Sequence, residues 1–172
     1  MTIVGGLRVR LTYDSLFNEI ERILDELGWF DAGRQHLPIN FVNEPTDPEL
    51  ETPLNTMALV PEDMFDSEIE LGSLMSEFRR TFYLDFFGQN QSVSEHIMFD
   101  MKDALQGRMS SINRDAPNFE LWNYTLATPV VIDTLDIEQV SLKRSNNWTK
   151  PWHKNWYSIA FTVVDYYGSE DL

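Results

Sequence analysis

The sequence predicts an α+β domain, a mainly antiparallel sheet with two amphipathic helices packed on one face. Three observations predict it. Residues 78–87 alternate: Phe78, Phe82, Leu84 and Phe86 point one way, with Arg80 as the exception, and Arg79, Thr81, Tyr83 and Asp85 point the other. Residues 156–167 alternate in the same way, with Tyr157, Ile159, Phe161 and Val163 on one side and Ser158, Ala160, Thr162 and Val164 on the other. A two-residue period rich in aromatics describes a strand with one face on a core. Two further stretches place their apolar residues on a 3.6-residue period, which describes helices with one buried stripe.

Taken in order, residues 2–12 hold Gly5 and Gly6 and then alternate through Leu7, Val9 and Leu11, which fits an N-terminal arm or a short edge strand. Asp14 is placed to cap the first helix, whose stripe is Leu16, Phe17, Ile20, Ile23, Leu24 and Leu27, and Gly28 to end it. Residues 38–42 suit a short strand. The stretch 43–56 carries Pro45, Pro48 and Pro53 among acids and is expected to be a long loop, since proline fixes φ and withdraws a donor. Met57 to Val60 reads as a short strand stopped by Pro61. Glu68 to Leu71 alternates as a strand of its own, and Gly72 and Ser73 separate it from the central run beginning at Phe78. Ser92 with Glu95 forms a capping-box pattern for the second helix, expected to reach about Met109, with Ile97, Met98, Met101, Ala104 and Leu105 on its inner face. Phe99 lies about 200° from Ile97 among polar neighbours, which makes it a candidate for subunit contact. Residues 130–132 and 135–142 are strand-like with a break at Asp133 and Thr134. Residues 144–156 read as a hairpin connection into the last strand, and 168–172 as a frayed acidic tail. One domain is expected to span all 172 residues.

A chain with no cysteine has no disulfides, thiolate nucleophiles or cysteine-bound zinc. No stretch approaches the roughly 20 apolar residues of a membrane helix, and the opening MTIVGGLRVR lacks a signal-peptide pattern, so a soluble protein, not exported by a cleavable signal, is expected. The net charge of −15 opposes a nucleic-acid-gripping role. Ten acids and no base fall between Asn43 and Glu77, Glu68 and Glu70 among them. The most basic segment follows much later, with Lys143, Arg144, Lys150, His153 and Lys154 interleaved with Trp148, Trp152 and Trp156.

The run ELGS, then EFRRTFYLDFFG, then a helix resembles the tail-terminator proteins of long-tailed bacteriophages, in pattern and element order from about Leu16 to Tyr167. The resemblance implies the same α+β fold and a structural virion protein without catalysis or cofactor. It implies a hexameric ring that caps the tail tube, docks the head–tail connector or stopper protein, and passes genomic DNA through its lumen without reading its sequence. The corresponding location is the virion tail or neck, after assembly in the host cytoplasm and away from any membrane. A related neck or tube protein fits the same pattern.

A ring needs two different complementary patches on each subunit. The acidic block with Glu68 and Glu70 is one candidate, and the basic segment with Trp148, Lys150, Trp152 and Lys154 is the other, with Phe99 the next place to look. The bland reading of the tryptophans is packing under their own loop; stacking on single-stranded bases and a sugar platform are further readings, so a carbohydrate-binding or hydrolase domain is the alternative from a different class. His96 and Asp100 at i and i+4 are the closest approach to a metal pair, yet a site needs three or four ligands. No GxSxG, HExxH, phosphate-loop or EF-hand spacing occurs.

Overall fold

The computed structural model describes residues 2–31, 38–43, 55–68, 75–108, 117–144 and 155–168. Among these the chain forms α1 (Thr2–Glu26), β1 (Asn40–Val42), β2 (Thr56–Glu68), β3 (Met75–Phe87), α2 (Gln91–Leu105), β4 (Glu120–Asn123), β5 (Val130–Thr134), β6 (Asp136–Arg144) and β7 (Trp156–Gly168). Five strands make one sheet in the order β1-β2-β3-β7-β6, and β4 and β5 make a separate two-stranded ribbon. Only β1 pairs in parallel, so the fold is α+β with a mixed, mostly antiparallel sheet.

The alternation in 78–87 does place this strand at the centre. Phe82, Leu84 and Phe86 are fully buried and Phe78 nearly so, while Arg79, Thr81, Tyr83 and Asp85 are half-buried on the other side. Across the ladder Leu84 faces Leu59 on β2 and Ile159 on β7, and Phe82 stacks on Phe161 with centroids 5.7 Å apart. Arg80, out of pattern on the apolar face, lays its guanidinium 5.1 Å from the centre of the Phe82 ring, and burial pulls its pKa down. The core is completed by Leu16, Ile20, Ile23 and Leu24 of α1 and by Ile97, Met98, Met101 and Ala104 of α2. The hydrophobic stripes of both helices therefore lie where the 3.6-residue period puts them.

Several boundaries differ from expectation. Residues 2–12 are neither arm nor edge strand but the first turns of α1, and Asp14 sits mid-helix rather than at a cap. Leu7, Leu11 and Thr12 at i, i+4 and i+5 bury against the fold, and Arg8 finds two carboxylates, contacts that outweigh the roughly 1 kcal/mol per glycine of Gly5 and Gly6 in a helix. The helix ends as predicted: Gly28 takes φ +75, with Trp29 N–H donating to Leu24 O at 3.0 Å and Gly28 N–H to Asp25 O at 2.9 Å, the Schellman pattern.

Pro61 does not stop β2. The register with β3 shifts between Pro61 and Met64, so the missing N–H falls where the ladder is already interrupted. The expected strand at 68–71 is represented only by Glu68, the last residue of β2, paired with Ser76; Ile69 to Leu74 lie outside the described residues. The loop expected over 43–56 is shorter at its end. Asn55 is fully buried at φ 59; its N–H donates to Phe87 O, its carbonyl accepts from Asn40 and its side chain accepts from Gln89. Residues 44–54 lie outside the described residues.

Ser92 does not cap α2. Asn90 does, in extended conformation, with Oδ1 accepting from Val93 N–H at 2.9 Å. The entry is set by Gly88, where a Cβ would run into the Ser94 side chain and the Phe86 ring, so only glycine lets α2 start this close to the end of β3. The helix stops at Leu105, short of Met109, because Gly107 at φ +72 forms a second Schellman ending. The break between the later strands falls at Leu135, which is buried, and Asp133 and Thr134 belong to β5. The connection 145–154 joins antiparallel neighbours, as a hairpin must, with Arg144 opposite Tyr157; its own residues lie outside those described.

Candidate functional site

The most unusual surface is the β4–β5 ribbon. A two-stranded ribbon is marginal in water by itself, and this one is held by a single stripe of α1. Arg8, Ser15 and Glu19 stand at i, i+7 and i+11, which returns to within about 20° of the same direction at 100° per residue. Arg8 Nη2 donates to Asp133 Oδ2 at 3.0 Å, Ser15 Oγ accepts from Trp122 N–H at 2.9 Å, and Glu19 Oε1 accepts from Asn118 N–H at 2.8 Å. Leu121 of β4 is fully buried beneath. The turn is shaped by Asn123, whose Oδ1 accepts from Thr125 N–H and Oγ1.

β5 itself is exposed along its whole length. Leu126, Val130, Val131 and Ile132 are each between 43% and 49% exposed. Scattered exposed apolar residues are ordinary, but four on one short ribbon form a patch of the kind used in association. From Asn123 to Thr134 the ribbon carries one charged residue, Asp133. The sequence reading registered Val130 to Ile132 as a strand and missed its exposure, because a short apolar run looks the same whether buried or displayed.

Arg8 also donates to Asp165, at 2.5 Å through Nε and 2.8 Å through Nη2. Asp165 is 2% exposed and sits beside Phe78 in the register of β3 and β7. The hydrogen bonds to Asp165 raise the pKa of the Arg8 guanidinium against the opposing effect of burial. One arginine thus ties the last strand of the sheet to the ribbon.

Phe99 is 54% exposed on α2, as its position on the helical wheel requires. His96 and Asp100 are 3.7 Å apart, and the His96 ring meets Trp29 edge-on at 5.2 Å. Among the described residues no group of three or more His, Asp or Glu converges as a metal site needs. Glu68 is placed only as the end of β2, and Glu70, Trp148, Lys150, Trp152 and Lys154 lie outside the described residues. A shallow cleft of about 350 Å³ lies along the outer side of α1, lined by Asn18, Glu21, Arg22, Asp25 and Phe30. Its arginine is already bound to Glu19 and Glu26. No described helix is long and apolar enough to cross a membrane.

The second face of the sheet is polar. Arg79 bridges Glu77 and Glu138 across three strands. Burial pushes the Asp85 carboxyl up, against the opposing influence of the neighbouring Ser158 and Trp156 side chains. A carboxyl raised on folding favours the folded state in its protonated form. That contribution is complete below the unfolded pKa and is lost as pH rises through the folded value. Asp85→Asn keeps an acceptor and cannot ionise. It is expected to raise the thermal midpoint above that of the wild type at pH 7, with the gain shrinking to nothing below about pH 4. Melting curves across that range check it.

In comparisons with known proteins, no protein-family model matches this chain, and no relative among curated proteins is found.

Proposed function

We propose that this chain is a structural virion subunit, a phage tail terminator whose copies close into a hexameric ring. The ring caps the tail tube, stops its growth and offers the head–tail connector a docking surface, while genomic DNA passes through the lumen. What supports a subunit reading is the ribbon: four large apolar side chains offered to solvent on a platform that α1 holds in place. What supports the tail-terminator assignment is the resemblance carried by residues 70–88 and the helix that follows. The proposed role is non-catalytic, without cofactor, in the virion neck after assembly in the host cytoplasm. A net charge of −15 suits a conduit that must not grip the DNA passing through it.

The same reading includes both helices on one face of the sheet. Tyr157 and Asp165 are eight residues apart on β7 and so share a side. Tyr157 Oη donates to Glu95 of α2 at 3.1 Å, and Arg8 of α1 donates to Asp165.

The experiment is removal of the protein from an infection. Tails of uncontrolled length that fail to join filled heads are the expected result. Normal tails joined to heads would refute the assignment.

A further inference from the structure

We infer that the β4–β5 ribbon is a detachable strap: it opens from α1 as one unit, turning about Leu135, while the five-stranded sheet stays closed. Two of its three anchors on α1 already hold a second partner. Arg8 stays paired with buried Asp165 through Nε and Nη2. Glu19 stays paired with Arg22, at 2.6 and 2.9 Å. The third anchor, Ser15, can turn its hydroxyl to the carbonyl four residues back, as mid-helix serines do. On the ribbon the released groups are the Asn118 and Trp122 N–H groups and Asp133, whose side chain is already 48% exposed and hydrates where it stands. Opening therefore leaves no charge buried without a partner, the cost that locks most buried ionic contacts.

What keeps the strap shut is apolar and small in extent. Leu121 is fully buried, Phe119 and Tyr124 are partly buried against the core, and β5 is exposed along its whole length. Among the described residues no ladder joins the ribbon to the main sheet, so opening breaks none of the sheet's own backbone bonds. The pivot lies where the chain changes sheets. Thr134 pairs with Glu120 in the ribbon, Asp136 pairs with Val164 in the main sheet, and Leu135 alone stands between them. Opening bares Leu121 and the stripe of α1 beneath it, and turns a fixed platform into a tethered apolar hairpin. Salt favours the open form, because screening weakens the exposed Arg8–Asp133 pair and spares the buried Arg8–Asp165 pair.

Native-state hydrogen exchange of the whole protein tests the strap. The reporters are the Trp122 amide and the ladder amides of β4 and β5. They should exchange together, at least about ten-fold faster than the ladder amides of β3 and β7. Their dependence on denaturant should also be shallower, since opening exposes little surface. Ile159→Val, in the core of β7, should speed the β3 and β7 amides by about two- to ten-fold and leave those of the ribbon unchanged. Asp133→Asn should speed the ribbon amides by about two- to five-fold and remove their response to salt.

Ribbon amides that exchange at the rate of β3 and β7, with the same denaturant dependence, and that follow Ile159→Val would overturn the strap, because the ribbon would then open only when the whole chain unfolds. Widely differing rates within the ribbon would overturn it too, since the ribbon would be fraying residue by residue. Ribbon amides with no protection would show that the strap is never closed, and would also overturn it.

Discussion

Leu84→Asp is expected to abolish cooperative folding. Leu84 is fully buried at the centre of the middle strand, with Leu59 and Ile159 opposite it on the two neighbouring strands. Truncating such a leucine costs about 2–5 kcal/mol, and a carboxylate left there without a partner costs several more. Against a total stability of about 5–15 kcal/mol, that leaves little or no folded protein. A flat near-ultraviolet circular dichroism melt checks it. Val131→Asp, on the exposed ribbon, is the control and should melt as the wild type does. A soluble Leu84→Asp variant with a sharp transition would mean that the inner face of β3 is misassigned.

Arg8→Ala is expected to cost about 3–5 kcal/mol, the usual penalty for leaving one buried charge behind. The charge left behind is Asp165, 2% exposed, with its guanidinium partner gone. The double variant Arg8→Met with Asp165→Leu should regain most of the loss, because a buried pair replaced by apolar groups of similar volume is often neutral. Urea denaturation of the wild type, both singles and the double gives the cycle. Hydrogen exchange adds a local readout. The amides of β4 and β5 should exchange faster in Arg8→Ala, since Asp133 is released as well.

The centre of this fold was legible in the sequence because alternation and the helical period each report a face directly. Phe82, Leu84 and Phe86, and equally Ile97, Met98 and Met101, are buried where those periods place them. The edges were less legible because tertiary partners decide them. Arg8 is helical because Asp165, more than a hundred and fifty residues away, draws it in, and no window around Arg8 contains that partner. Pro61 stays in a strand because a bulge takes up its missing donor. Asn90 displaced Ser92 as the cap because Gly88 fixes how closely α2 approaches β3, a constraint visible only once Ser94 is packed against it.

The candidate site divides in the same way. Phe99 was found because it violates a pattern, and an exposed residue on an otherwise orderly helix stands out. Val130, Val131 and Ile132 violate nothing; a run of three apolar residues is ordinary core material until the fold shows them exposed. One available clue was charge. In a chain where 24% of residues are charged, Asn123 to Thr134 holds a single one. Such a gap, next to an apolar run and a turn, marks a surface that other copies of an acidic protein can approach.

Native mass spectrometry of the purified protein, over a dilution series from micromolar to nanomolar, tests the central claim most directly. The account predicts one closed species, a hexamer, with no ladder of longer chains, because a heterologous contact that closes leaves no free end. A monomer at every concentration, or an open-ended series of sizes, would contradict it.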